Sequence, residues 1–155
     1  MIDSSSNYYF EKEEIHGADK WFGALCYEIV ELKHKKTVSY AVLGWDGYSS
    51  SSTRKIIEPL HFDKKKGPVF GAKQFEFKGK KQSRLILEYS KDAGVSLTFN
   101  GKMNMIVYDH LVPMDGAPIG MYAFYIPDFT YEGLQWKKGK WIHHSMVNPE
   151  NLSEY

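Results

Sequence analysis

Short apolar or alternating segments follow one another from Trp21 to His144, and a turn sequence closes each of them. The segments are rich in Tyr, Phe, Trp, Val and Ile, which favour strands over helices. The turns contain Gly with Asp, Asn or Lys, as in Asp46-Gly47 and Asn100-Gly101. Strand-length segments with turn signals at near-regular spacing are typical of antiparallel β proteins.

The segments predict a set of strands with short connections. The predicted strands are Phe22–Leu32, Thr37–Trp45, Arg54–Phe62, Val69–Phe77, Arg84–Tyr89, Val95–Phe99, Lys102–Leu111, Met121–Ile126, and a last hairpin of Leu134–Trp136 with Trp141–His143. No helical segment is long enough for a parallel crossover. We therefore predict an all-β, antiparallel up-and-down meander of about 8–10 strands, as a curved sheet or a closed barrel.

The hairpin around Asn100-Gly101 allows a prediction of register. A three-residue loop, 99–101, pairs Leu97 with Met103, so that apolar residues face apolar ones. This register places Gly101 in the left-handed backbone region, where glycine is favoured. A shift by one residue would turn every side chain to the other face.

Length and composition restrict the domain organisation and the partners. For 155 residues a single domain is the default, and we divide the chain into a poorly ordered leader (1–20), a β domain (21–146) and a tail (147–155). The net charge is only +1, so neither nucleic acid nor an anionic membrane is predicted as a partner.

The only cysteine is Cys26, so an internal disulfide is excluded. No segment reaches the roughly 18 apolar residues of a membrane span, and the polar N-terminus is not a signal peptide.

Four segments carry a family resemblance: WFGALCYEI (21–29), LGWDG (43–47), DHLVP (109–113) and YIPDFTYEG (125–133). Because these segments occur in this order, the chain resembles the C-terminal domain of an uncharacterised family of exported proteins from Bacteroidota. The resemblance extends from about Trp21 to Trp141. The resemblance implies a location outside the cytoplasm, and it implies no activity. Members of that family are longer at the N-terminus and begin with an export signal, so we expect this chain to be a fragment that lacks an upstream strand or two.

The first candidate site is formed by Trp45, Asp46 and Tyr48 at the end of a predicted strand. An aromatic ring beside a carboxylate can stack on a sugar or a peptide while the carboxylate accepts hydrogen bonds. Asp-Gly is also a strong turn signal. The alternative, which we favour, is a turn at Asp46-Gly47 with Trp45 in the core.

The second candidate site is Asp109 with His110 at the end of another strand. Such a pair suits acid–base chemistry or metal binding. Adjacent strand residues point to opposite faces, however, so they share one ligand only if a bulge lies between them. We favour Asp109 as a cap of the next loop and His110 as half-exposed. His143 and His144 diverge in the same way and lack a metal-binding spacing, so no metal site is predicted.

The third candidate site is the segment YIPDFTY (125–131), in which Tyr125 and Asp128 would line a ligand groove together with Trp136 and Trp141. The alternative is a corner of the core, with Trp136 facing Trp141 as a cross-strand pair. Both interpretations remain open at the level of sequence.

The chain contains no G-x-S-x-G, phosphate-binding loop, dinucleotide-binding or EF-hand pattern. We therefore predict no cofactor, and a non-catalytic binding or accessory module of an extracytoplasmic bacterial protein. Its ligand would be a glycan, a peptide, or a protein such as the upstream domain of the same chain. One alternative is a metal-assisted hydrolase that uses Asp46, Asp109, His110 or Asp128. Another is a purely structural domain that supports a missing N-terminal region.

Overall fold

The structure is a computed structural model that describes residues 14–21 and 23–148. Predictions for residues 1–13, for Phe22 and for 149–155 lie outside the described residues. Within them, the chain forms twelve strands: β1 His16–Gly17, β2 Leu25–His34, β3 Thr37–Asp46, β4 Ser52–Asp63, β5 Gly67–Phe70, β6 Phe75–Phe77, β7 Lys80–Gln82, β8 Leu85–Ser90, β9 Leu97–Asn100, β10 Met105–Pro113, β11 Tyr125–Lys137 and β12 Lys140–His144. One 3-10 turn, Tyr122–Phe124, precedes β11.

The predicted all-β, antiparallel class is confirmed, because every pair of strands is antiparallel. The strands form a six-stranded sheet in the order β1-β5-β4-β3-β2, with β8 also paired to β4, a four-stranded sheet in the order β12-β11-β10-β9, and the two-stranded hairpin β6-β7. In the part of the chain that the structure describes, these sheets do not close into a barrel. The β1 pairing brings residues of the predicted leader into the six-stranded sheet.

Strand β4 is the centre of the six-stranded sheet, and it has two different partners along one side. Its first half pairs with β8 as far as Ile57, and its second half pairs with β5 from Leu60 onwards. Pro59, which has no N–H to donate, lies between these two halves. The gap therefore accommodates a proline in an interior strand.

The core lies between the two larger sheets. It contains Val30, Leu32, Ala41, Leu43, Ile57 and Leu85 from the first sheet, Leu97, Ile106, Tyr108, Leu134, Trp136 and Trp141 from the second, and Phe75 from the hairpin β6-β7. On β2, β3, β10 and β11 the residues of this core recur at every second position, as expected for side chains that alternate between two faces.

The edge strands β2 and β9 meet at a side-chain seam. The hydroxyl group of Tyr27 donates a hydrogen bond to the Leu97 carbonyl (2.8 Å), and the Phe99 N–H donates to the Glu28 carboxylate (3.3 Å). A bulge in β2 between Cys26 and Glu28 lies at this point. The two sheets are therefore joined here through side chains, where a closed barrel would have a backbone ladder.

The predicted register of the β9–β10 hairpin is wrong. Leu97 pairs with Tyr108, and Met105 pairs with Asn100. The Asn100 side chain explains the difference, since its Oδ1 accepts the N–H groups of Lys102 (3.0 Å) and Met103 (3.1 Å). These bonds stabilise a longer loop, and the left-handed residue is Asn104 (φ 50°) in place of Gly101.

The predicted strand Met121–Ile126 is also wrong in its bounds. Residues 122–124 form the 3-10 turn, and the 13-residue strand β11 begins at Tyr125. Strand β11 continues through a bulge, since Asp109 pairs with Tyr131 whereas Leu111 pairs with Pro127. The bulge adds residues to β11 and allows the strand to continue past a proline.

Candidate functional site

The group around Trp45, Asp46 and Tyr48 lies at one end of the six-stranded sheet. Asp46 is buried and pairs in register with Arg54. The guanidinium group of Arg54 lies over the Tyr48 ring at 3.2 Å and forms an ion pair with Glu88 at 2.9 Å. Trp45 is 37% exposed, so the favoured placement of its side chain in the core is wrong. The polar groups here are thus engaged mainly with one another.

Asp109 and His110 point to opposite faces of the four-stranded sheet, as strand alternation predicts. Tyr108 lies in the core, so Asp109 faces away from it, and its Oδ2 accepts the Ser96 N–H at 2.6 Å. The bulge in β11 lies opposite His110. Asp109 is therefore on the outer side of the sheet, where it is 9% exposed, and His110 lies with the residues of the bulge.

On the other face, four side chains form a row of alternating carboxylates and imidazoles. His110 Nδ1 lies 2.9 Å from Asp128 Oδ2, and His110 Nε2 lies 3.7 Å from Glu132 Oε1. The second oxygen of Glu132 lies 3.2 Å from His143 Nε2. Among the described residues, no group of three or more His, Cys, Asp or Glu side chains is arranged to hold a metal ion. The row thus consists of two hydrogen-bonded pairs, His110 with Asp128 and His143 with Glu132, joined by the longer contact between His110 and Glu132.

Asp128 holds the bulge of β11 in place. Its Oδ1 accepts hydrogen bonds from the N–H (3.0 Å) and the hydroxyl group (2.7 Å) of Thr130. The residue between them, Phe129, is held at φ 67°, which is uncommon for an aromatic residue. The hydrogen bonds from Thr130 and the neighbouring His110 lower the pKa of Asp128 to about 2.

This lowered pKa predicts acid sensitivity of the bulge. A carboxyl group whose pKa is depressed by folding contributes stability above its ordinary pKa, and the contribution is lost as the pH falls through the folded value. We expect Asp128→Asn to lower the urea midpoint at pH 5, with a smaller difference from the wild type at pH 2.5. Asp115→Asn, in an exposed loop, is the control for loss of a charge. An equal difference at both pH values would contradict this role of the carboxylate.

An open cleft of about 710 Å³ lies beside the bulge on the outer surface of the sheet. Its lining consists of Ala93, Gly94, Val95, Ser96, Asp109, Ile126, Pro127, Phe129 and Tyr131. We call it the bulge cleft. Phe129 is 89% exposed at its rim, and Asp109 is its only charged residue. The cleft therefore combines an exposed aromatic ring, an apolar lining and one carboxylate.

Tyr125 and Trp136, two further residues of the predicted site, form hydrogen bonds with the backbone of the protein itself. The Tyr125 hydroxyl group accepts the Gly120 N–H at 3.1 Å. Trp136 is buried, and its indole N–H donates to the Lys33 carbonyl at 3.3 Å. The predicted cross-strand pair is confirmed, because Trp136 pairs with Trp141 and their ring centroids lie 5.1 Å apart. Trp136 is thus a core residue, and it does not line the bulge cleft.

The predicted site residues therefore fall into separate groups. Asp46 lies on the six-stranded sheet, whereas Asp109 and Asp128 lie on opposite faces of the four-stranded one. Sequence reasoning missed Glu132 and the exposure of Phe129. The spacing of Asp128, Thr130 and Glu132 at every second position was a signal for one shared face, but the segment was not predicted as a strand.

Comparisons with family models, with curated proteins and with solved structures found no match for this chain. The described part of the chain contains no helix that is long and apolar enough to cross a membrane. The geometry of the described residues is accordingly the basis for the function proposed below.

Proposed function

We propose that this chain is a non-catalytic binding module that recognises an extended peptide segment of another protein in the bulge cleft. The observation that carries the proposal is Phe129, which is 89% exposed and is held at φ 67° by the hydrogen bonds of Asp128 to Thr130. Phe129 is unfavourable for stability in two ways, because its aromatic ring is exposed to water and its backbone has a positive φ. Such strained positions cluster at ligand-binding sites.

The chemistry of the bulge cleft favours a peptide over a glycan. Most of its lining is apolar, including Val95, Ile126 and Pro127, whereas a sugar needs many hydrogen-bonding partners. The Asp109 carboxylate accepts one hydrogen bond from Ser96, and a carboxylate has capacity for more. A peptide with a Lys or Arg beside apolar side chains would complement this lining.

A second apolar surface supports a protein as the partner. Large exposed apolar side chains are concentrated in the loop between β10 and β11, where Met114, Ile119, Met121, Tyr122 and Phe124 are 37–90% exposed. Exposed apolar patches of this kind mark sites of protein–protein contact. We place the module outside the cytoplasm, and the support for this is the resemblance to the exported family.

The test uses Phe129→Gly. Glycine adopts positive φ without strain, so we expect the melting temperature to stay the same or rise while the ring is lost. Peptides selected by the wild-type protein from a phage-displayed random library would contain a basic residue beside apolar ones. We expect Phe129→Gly to weaken their Kd by about tenfold or more, equivalent to about 1.4 kcal/mol, as measured by isothermal titration calorimetry.

The matched control is Phe62→Ala, which removes an exposed phenylalanine from the six-stranded sheet. We expect this variant to bind the selected peptides with the affinity of the wild type. Equal binding by Phe129→Gly, or selection of no common peptide motif, would overturn the proposed function. A glycan panel run in parallel decides the ligand class, because glycan binding that is lost in Phe129→Gly without peptide binding would replace peptide by glycan.

A further inference from the structure

A second cleft, of about 530 Å³, lies between the hairpin β6-β7 and strand β12. The backbone N–H of Trp141 donates to the Gln74 carbonyl at 3.0 Å, and the Phe75 ring stacks against the Trp141 ring at 6.3 Å. The hairpin is therefore attached to β12 by a backbone hydrogen bond and by core packing. We call this space the basic cleft, and it is separate from the bulge cleft.

The charge of the basic cleft is positive. Its lining contains four lysines and one acidic residue, and these are Lys73, Lys78, Lys81, Lys140 and Glu76. Among residues 14–21 and 23–148, no carboxylate oxygen lies within 4.0 Å of the amino group of any of these four lysines. Lysines that line one concave surface attract an anionic ligand. The cleft is therefore suited to oxyanions.

Two buried polar atoms in the same lining have no hydrogen-bond partner among the described residues. They are the indole Nε1 of Trp141, a residue only 3% exposed, and the Oε1 of Gln74. A buried donor or acceptor without a partner is unfavourable, because its hydrogen bonds to water are lost on folding and are not replaced. Trp141 Nε1 can only donate, and Gln74 Oε1 can only accept. Together they call for a ligand that offers both an acceptor and a donor.

We propose that the basic cleft binds an acidic sugar, in which an oxyanion group lies next to hydroxyl groups. The oxyanion would be held by the lysines and would accept from Trp141 Nε1, and a hydroxyl would donate to Gln74 Oε1. Sulfate has no hydrogen to donate to Gln74, inorganic phosphate can donate only from the same group that would meet the lysines, and a neutral sugar has no charge for the lysines.

The aromatic residues of the basic cleft argue against single-stranded nucleic acid as the ligand. Nucleic acid of this kind is bound by stacking of its bases on exposed aromatic rings. The rings of Phe75 and Trp141 are both buried in the core. The lining of the basic cleft therefore offers no exposed Phe or Trp ring face on which a base could stack.

The test is titration of the ¹⁵N-labelled protein with four probes, followed by NMR at the tryptophan indole N–H signals. The probes are glucuronate, glucose 6-phosphate, glucose and inorganic phosphate. Trp141→Phe identifies the Trp141 signal by its disappearance. We expect both acidic sugars to shift this signal, and to bind about tenfold or more tightly than phosphate or glucose, a difference of about 1.4 kcal/mol. Binding should weaken with added salt.

The double variant Lys73→Gln/Lys140→Gln is expected to weaken glucuronate binding by about tenfold. Lys64→Gln/Lys65→Gln, in the turn between β4 and β5, removes the same charge elsewhere and is expected to leave binding unchanged. The proposal would be overturned by an unshifted Trp141 signal, by equal binding of glucose, by phosphate binding as tight as glucuronate binding, or by equal losses in the two double variants. None of these outcomes depends on peptide binding in the bulge cleft.

Discussion

Replacing Arg84 by methionine is expected to lower the free energy of unfolding by about 3–5 kcal/mol. The Arg84 and Glu58 side chains are 0% and 1% exposed, and Arg84 Nε lies 2.9 Å from Glu58 Oε2. Glu58 also accepts the indole N–H of Trp21 at 3.2 Å. Without the guanidinium group, the buried carboxylate of Glu58 would lose its positively charged partner. Urea denaturation of wild type and variant measures the difference.

The control for this prediction is the double variant Glu58→Leu/Arg84→Met. Removing both charges avoids an unpaired buried charge, and such replacements are often neutral or stabilising. We expect the double variant to be clearly more stable than Arg84→Met alone. A double variant as unstable as the single one would mean that the shape of the arginine, and not its charge, is what the fold requires.

The same pair predicts a dependence on pH. Burial raises the pKa of Glu58 from its ordinary value of 4.5 to about 7, against the opposing effect of Arg84. A carboxyl group with a raised pKa contributes stability that is fully present below its ordinary value and is lost as the pH rises through the folded one. The loss caused by Arg84→Met should therefore be larger at pH 8 than at pH 5, because protonation neutralises Glu58.

Replacing Trp136 by alanine is expected to cost about 3–5 kcal/mol, as for other buried tryptophans. The indole packs against Trp141 and donates to the Lys33 carbonyl of β2, so it joins the two larger sheets. Trp136→Phe keeps part of the packing and should lose less. Thermal and urea unfolding give the magnitudes. Unchanged stability together with lost peptide binding would instead make Trp136 a ligand contact.

Strand-length apolar segments between turn signals predicted the strands β2, β3, β4 and β8 well, although only β2 alternates between buried and exposed residues over much of its length. The prediction failed where side chains bond to the local backbone. Asn100 sets a loop that the apolar pattern does not indicate, and Asp128 with Thr130 holds a bulge in a segment that contains a proline. The bonds at Asn100 move the partner of Leu97 by five residues, from the predicted Met103 to Tyr108. The bulge moves the partner of Leu111 by two residues, to Pro127.

The candidate site was predictable only in part for a related reason. Asp128 and His110 were both singled out from the sequence, and the structure brings them together through the bulge that lies opposite His110. The buried pair of Glu58 and Arg84 was not predicted, since the two residues are 26 positions apart and meet only after β4 and β8 have paired. The basic cleft likewise requires the β6-β7 hairpin to dock beside β12, which local patterns do not specify.

The seam between β2 and β9 has a consequence for how this molecule behaves in a crowded solution. An unpaired strand edge is a template for another chain, and proteins that expose one are prone to aggregate. Here Tyr27 and Glu28 occupy backbone groups at Leu97 and Phe99. The β2 side chains thereby cover part of the β9 edge, which would otherwise be open to pairing with a strand of another molecule.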